Sequence, residues 1–383
     1  MITKQSFYRT SSGNLPDDSN RFLYIDIETT GLSAGSSMIY MIGCGYLTGR
    51  GPDRGLTLIQ WFNDDAVSEE MILKVFRDLL AEKERTLVTF NGDSFDLPYL
   101  RQRFQLLDLP LAETVRSYPT IDLYRILKPF RNLFSLPRGR QKNWEIFMGI
   151  SREDTMSGRD LIKIYKNWLA GRDPAAKDML FLHNYEDICH LYRLSPLMAL
   201  ADVTEGAFLH CEARLSSRDP AADEKEAVFS CFLKTPLPMG FTLKSSRGKL
   251  TACKDRIMIK LPPVTGSMKH FFRDYNNYYY LPLEDRAIHK SVGIYVEKQH
   301  RRKCSASDCY VKKYGVFLPL PYKMEDRHFT SFRPDYSSQE YYVEIDELLS
   351  AEQEQLREYL AGQVRFLLFS KKLRDRTVTQ LKD

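Results

Sequence analysis

In the string FLYIDIE (22–28), two acids, Asp26 and Glu28, stand two residues apart on a run that is otherwise apolar. The two-residue period of a strand puts both carboxyls on one face, near the strand end. Like charges side by side on an apolar strand are costly unless a cation neutralises them, and hard oxygen donors suit Mg²⁺ or Mn²⁺. Read alone, D-x-E also fits a surface strand end with solvated acids. Asp96, in LVTFNGDSFDLPYL, follows a fully apolar run and falls in the first turn of a helical segment, where the helix dipole favours an acid for structural reasons too. Asn91 and Gly92, at the strand exit, offer a side-chain amide and an approachable backbone where open α/β sheets bind ligands. Asp187, in FLHNYEDICHLYRL, has His183 four residues before it on the same helical face, while Tyr185 points away. His190 also falls near that face, although a helix histidine is more often a packed or exposed side chain than a functional one.

The elements that must carry these residues show in the apolar spacing. FLYIDIE, SMIYMIGCGYLTG (37–49) and GLTLIQWF (55–62) read as three successive strands of an antiparallel meander. AVSEEMILKVFRDLLAEK (66–83) has helical spacing, with Met71, Val75, Leu79 and Leu80 on one stripe and acids in its first turn. TLVTF (86–90) is a fully apolar strand, and SFDLPYLRQRF (94–104) begins a helix that tolerates Pro98 in its first turn. Residues 121–200 read as mainly helical. The layout is α/β, with a mixed sheet whose central strands are buried on both faces.

Taken together, the strings resemble the DEDD exonuclease superfamily, and within it the YprB-like ribonuclease-H-like domain. FLYIDIETTGL is similar to the first motif, VTFNGDSFDLPYLRQRF to the second and HNYEDICHLYRL to the third; TIDLYRILKPFRN and NWEIFMGISREDTMSGRDLIKIYKNWL are similar to the subfamily's connecting helices. The resemblance covers about residues 20–200. It implies a ribonuclease-H-like mixed sheet with flanking helices, and two divalent cations, Mg²⁺ or Mn²⁺, held by Asp26, Glu28, Asp96 and Asp187. It also implies a base near Asp187 that activates water for phosphodiester hydrolysis. After the first motif's Glu, the family holds the terminal nucleotide, which points to Thr30 and Leu32 as substrate contacts, with Asn91 as a further one. The chain departs from the family in one place. The third motif usually carries Tyr four residues before the Asp or His five before it; here His183 takes the tyrosine's spacing and Leu182 the histidine's. His183 is the expected general base, being titratable near neutral pH.

At 383 residues the chain suggests two domains, and its 43% apolar and 27% charged composition is that of an ordinary globular protein. The expected division is a polar N-terminal leader at 1–20, a ribonuclease-H-like domain at 21–210, a linker at 211–225 and a basic, aromatic-rich α+β or mostly β domain at 226–383. The linker is placed on SSRDPAADEK (216–225). An amphipathic helix over 350–369, capped by Ser350, is expected to pack on the second domain. Residues 1–200 balance 25 Lys and Arg against 25 Asp and Glu, whereas residues 241–320 hold 16 against 6. The positive field lies in the second half, where a polyanion is the natural partner. HFFRDYNNYYYLPLEDRAIHKSVGIYVEKQHRRKCSASDCYVKKYG (270–315) interleaves aromatics with Lys and Arg, as base stacking along a phosphate backbone requires, although aromatic strands with solvated basic faces read the same way.

The absence of a signal-peptide core and of a bilayer-length apolar run suggests a cytoplasmic protein without a membrane partner. Seven scattered cysteines read as reduced thiols, and Cys304 and Cys309 have no clear second pair for zinc among Cys253, His289 and His300. Two functions remain: a nuclease, expected to be a 3′–5′ exonuclease on DNA or RNA, or a catalytically impaired nucleic-acid-binding or scaffold protein on the same fold. The four filled acidic positions favour the enzyme.

Overall fold

The apolar runs of the first half assemble into one mixed sheet of β1 (Ile2–Arg9), β2 (Phe22–Thr29), β3 (Ile39–Thr48), β4 (Gly55–Phe62), β5 (Thr86–Thr89) and β6 (Thr120–Asp122), in the spatial order β1-β4-β3-β2-β5-β6. The structure is a computed structural model that describes residues 1–9, 20–50, 53–110, 118–219, 224–322, 328–371, 373 and 375–381. The chain divides into two units, Met1–Leu200 and Ala201–Asp383.

In the first unit, β2, β3 and β4 form the antiparallel meander, and β5 and β6 add in parallel beyond β2. Helix α1 (Glu69–Ala81) makes the crossover from β4 to β5, and α2 (Asp96–Leu106) follows β5. Their apolar faces bury against Leu23, Ile25 and Ile27 of β2. The buried stripe of α1 is Ile72, Leu73, Phe76, Leu79 and Leu80. Met71, expected on that stripe, is 53% exposed because the helix is rotated by about one residue relative to that reading. A short helix α3 (Leu123–Leu127) leads to α4 (Gln141–Phe147), α5 (Gly158–Gly171) and the long α6 (Pro174–Leu194). Leu161, Tyr165 and Trp168 of α5 and Leu180 and Phe181 of α6 bury against Tyr40, Met41 and Phe62, covering the opposite face of the sheet. Pro174 opens α6 behind an Asp173 cap that accepts from Ala175 N–H, so the helix starts cleanly.

The expected leader is in part a strand. Ile2–Arg9 pairs antiparallel with β4 along its whole length, from Ile2↔Phe62 to Arg9↔Gly55. Its polar composition suits an edge position, where Lys and Arg guard an open backbone. Residues 10–19 of the leader lie outside the described residues.

The second unit is built mainly of antiparallel strands. Strands β7 (Phe208–Asp219), β8 (Glu224–Leu233), β9 (Gly240–Ser245), β10 (Gly248–Cys253) and β11 (Arg256–Leu261) join the C-terminal Thr377–Leu381 in a six-stranded sheet. Two three-stranded sheets follow within residues 264–344. The described ends of the segment expected as a linker, 216–219 and 224–225, belong to β7 and β8, whose pairing runs from Phe208↔Leu233 to Asp219↔Glu224. Ser, Pro and charged residues mark a hairpin end as readily as a linker; residues 220–223 lie outside the described residues. The last long helix is Gln353–Phe369, opened by a capping box between Glu352 and Gln355. Ser350 instead closes a preceding short helix, Ile345–Leu349, and its hydroxyl donates to Asp346 O at 2.7 Å. All seven cysteines are thiols, five of them buried. Among the described residues no helix is long and apolar enough to cross a membrane.

Candidate metal centre and its surroundings

Because β2 is a central strand, its alternation sends Leu23, Ile25 and Ile27 toward α1 and α2 and turns Asp26 and Glu28 to the face covered by α6. Asp26 lies opposite Gly43 of β3, and the ladder shifts register between Glu28 and Thr29. Such an irregularity re-aims a strand end next to a site. Asp96, the first residue of α2, accepts a hydrogen bond at 3.2 Å from the backbone N–H of Ile27, the residue between the two β2 acids.

Helix α6 supplies the facing side. Asn184 donates from Nδ2 to Asp26 Oδ2 at 2.8 Å. His183 Nε2 lies 3.1 Å from Asp187 Oδ2 and 3.5 Å from Glu28 Oε1. One donor atom each of Glu28, His183 and Asp187 falls within 4.8 Å of the others, a spacing that could hold a metal ion. Glu28 Oε2 also accepts from the Tyr40 hydroxyl at 3.3 Å. The close approach of α6 depends on Gly43, where any Cβ would overlap Asn184 Oδ1 and Ile188.

The carboxyls do not share one charge state. Burial, then repulsion from Asp187, Glu28 and Asp96, raises Asp26 well above the usual carboxylate range. Burial is also the main cause that lifts Glu28 to about 7, against the attraction of His183. Asp96 rises to about 7, again chiefly through burial and against the Ile27 hydrogen bond. Asp187 goes the other way: burial pushes it up, but the His183 hydrogen bond and charge and the Arg152 guanidinium outweigh that and hold it at about 2. His183 is raised to about 9, because Asp187, Glu28 and Asp154 outweigh burial, which alone would lower it. Three acids with costly charge and only oxygen atoms to offer form a donor set that fits hard divalent cations.

Several residues of this centre escaped the sequence reading. Asp154 Oδ2 lies 2.6 Å from His183 Nδ1 and 2.9 Å from Lys142 Nζ. Arg152 pairs with Asp187 and with the buried Glu145, to which its Nε donates at 2.7 Å. Both lie in the turn between α4 and α5, fastened by Glu186 of α6, which accepts from the N–H groups of Glu153 and Asp154 at 2.8 and 2.9 Å. Nothing in the string SRED marks this role, since four polar residues in a row also describe any solvated turn. His190 Nδ1 lies 3.3 Å from Glu145 Oε2.

Of the expected substrate contacts, Thr30 Oγ1 accepts from Met38 N–H at 3.0 Å and closes the turn after β2, while Leu32 is 88% exposed. Asn91 adopts a left-handed backbone with φ 69°, and its N–H donates to Asp122 Oδ1 at 2.7 Å. Asn tolerates that conformation better than most residues.

A mixed sheet of this order, flanked by helices and carrying acids at the exit of its central strand, is a ribonuclease-H-like fold. Residues 23–199 match the family model of the RNase H superfamily. No curated protein matches the chain in sequence. Among solved structures, the family B DNA polymerase of the hyperthermophilic archaeon Pyrobaculum calidifontis aligns over 67% of this chain and 35% of its own, at 16% identity and a TM-score of 0.36. A structure described as the apo form of the nuclease aligns over 49% of this chain and 76% of its own, at 15% identity and a TM-score of 0.29. The chain therefore spans about a third of the polymerase's length.

Proposed function

We propose that this protein is a metal-dependent nuclease that hydrolyses phosphodiester bonds of DNA or RNA, acting as a 3′–5′ exonuclease. The observation that carries the reading is the cluster at the end of β2, where Glu28, His183 and Asp187 each offer a donor atom within 4.8 Å of the others and Asp26 and Asp96 lie alongside, like charges that a cation offsets. Asp26, Glu28, Asp96 and Asp187 would hold two Mg²⁺ or Mn²⁺ ions, which polarise a phosphate and make water a better nucleophile. Asn184 orients the Asp26 carboxylate, and Tyr40 does the same for Glu28. His183 holds a proton at Nε2 toward the cleft, while Asp154 fixes the ring through Nδ1. It is the group placed to exchange a proton during hydrolysis. Thr30, Leu32 and Asn91 lie on the turns bordering the acids and are assigned to the substrate.

Purified protein incubated with labelled DNA and RNA, tagged at either end, tests this directly. Cleavage should require Mg²⁺ or Mn²⁺, stop in chelator, and release mononucleotides from the 3′ end. Metal binding without cleavage of any polynucleotide would instead mark an impaired, nucleic-acid-binding relative on the same fold.

A further inference from the structure

The acids stand where β2 ends, and the parallel strands also begin together at the other edge of the sheet. Arg21 precedes Phe22 of β2, Arg85 and Thr86 open β5, and Pro119 precedes Thr120 of β6, with Phe22 paired to Thr86 and Leu87 to Thr120. With Glu84 and Tyr118 these strand starts line a pocket of about 350 Å³, within the roughly 300–1,000 Å³ range of ligand pockets. Asp26 and Glu28 lie five and seven residues beyond Arg21. At about 3.3 Å per residue of strand, the pocket is roughly 15–25 Å from the acids.

The pocket wall holds a charge that the chain leaves unsatisfied. The Arg85 side chain is 1% exposed. Its guanidinium lies over the Tyr46 ring of β3, with Cζ 4.8 Å from the ring centroid, and Nη2 donates to Glu82 Oε2 at 3.4 Å. Nε and Nη1 are buried and have no acceptor among the described residues. Glu82 is 63% exposed, and a solvated carboxylate offsets little of a buried charge. Arginine cannot shed its proton, so burying it costs free energy until acceptors meet its N–H groups. A buried donor left without one therefore points to a partner that the chain does not provide. Glu84 does not fill the role, since it is 87% exposed and pairs with Arg21 at 3.5 Å. Tyr118 has its hydroxyl committed to Leu80 O at 2.8 Å, which leaves its ring and Pro119 as the apolar part of the wall.

We propose that this pocket binds a phosphate group, free or carried by a small organic molecule. Arg85 donates to it from the wall, and Arg21, released from Glu84, meets it at the rim. A tetrahedral dianion accepts from several donors at once and is attracted by both guanidiniums, whereas a carboxylate brings a single charge and two oxygens. Tyr118 and Pro119 give apolar surface to whatever carries the phosphate. The site is separate from the acidic centre and stands whether or not the nuclease reading does.

Isothermal titration calorimetry on the full chain in chelator tests this, because no metal is then present to draw phosphate to the acidic centre. Inorganic phosphate, thymidine 5′-monophosphate and acetate are titrated in turn. Phosphate should bind saturably, and acetate much more weakly. Tighter binding of the monophosphate assigns the site to a phosphate monoester, and equal or weaker binding assigns it to inorganic phosphate; both support the proposal. Arg85→Met should weaken phosphate binding on the order of tenfold or more, the scale of losing hydrogen bonds to a charged group. Arg21→Gln should weaken it roughly two- to fivefold, the scale of an exposed ion pair. Arg21 is 64% exposed, so its replacement keeps the test decisive if Arg85→Met does not fold. Three results overturn the assignment: saturable binding that neither variant changes, acetate bound as tightly as phosphate, or no saturable binding at millimolar phosphate.

Discussion

His183 is held from both sides, by Asp154 at Nδ1 and by Asp187 and Glu28 at Nε2. Replacing it with Ala should lower turnover on the order of 10² to 10⁴-fold while the protein still binds Mn²⁺, because proton transfer is worth about that much. His183→Tyr should retain more activity than Ala. Turnover near wild type in the alanine variant would make the histidine an ordinary buried residue. Asp26→Asn should abolish hydrolysis and leave the melting temperature equal or higher, since it removes a buried charge that its neighbours repel. Loss of the fold in that variant would assign Asp26 to structure instead. The same charges set a pH dependence. Glu28 and Asp96 rise to about 7 from ordinary values of 4.5 and 3.8, and His183 rises to about 9 from 6.5. All three bind protons more tightly folded than unfolded, so their contribution to stability is complete below the unfolded values and is lost as pH rises through the folded ones. Asp187, lowered to about 2, acts oppositely but only at acid pH. In chelator the melting temperature should therefore fall from about pH 4 to about pH 9, through the two acids up to about pH 7 and through His183 above that. A flat or rising profile would mean that the acids are solvated.

Helix α6 carries His183, Asn184, Glu186 and Asp187, so its seating on β3 governs most of the centre at once. Gly43 and Gly45 make that seating possible: a Cβ at either would overlap the side chain of Ile188 or come too close to it, and at Gly43 it would also overlap Asn184. Gly43→Ala should destabilise the protein by about 1–3 kcal/mol, the usual cost of overpacking, and should impair hydrolysis beyond the loss of folded protein by displacing Asn184 from Asp26. A thermal melt and an activity assay on the folded fraction check both parts. Unchanged melting would mean that α6 shifts freely on the sheet.

For the whole molecule, the proposed ligation by four carboxylates predicts that Mg²⁺ or Mn²⁺ raises the melting temperature in a concentration-dependent way, as any ligand of the folded state must. Calorimetry with and without the cation checks this, and the shift should disappear in Asp26→Asn. The basic second unit should make nucleic-acid binding fall steeply with salt, each phosphate contact adding about 0.7 to the logarithmic slope for a single strand. Its aromatic band is less open to bases than its composition suggested. Lys269 lies over the Tyr310 ring at 4.3 Å, Arg302 over Tyr280 at 4.3 Å and Arg333 over Phe271 at 4.6 Å, so the unit's own cations cover ring faces.

Short-range periodicity in the residues encodes part of the site directly. A two-residue spacing placed Asp26 and Glu28 on one face, a four-residue spacing placed His183 beside Asp187, and the apolar runs set the meander and its following helices. These features depend on neighbours a few residues away, so the letters alone suffice. Other features depend on partners far along the chain and emerge only on folding. Ile2–Arg9 is polar enough to read as a leader and becomes a strand only because β4, some 50 residues later, offers it an open edge. Arg152 and Asp154 sit in a turn with no periodicity, and only the packing of α6 aims them at Asp187 and His183. The proton balance of the centre has the same origin: a carboxyl's charge answers to burial and to charges across the cleft, and neither is written in the residues beside it.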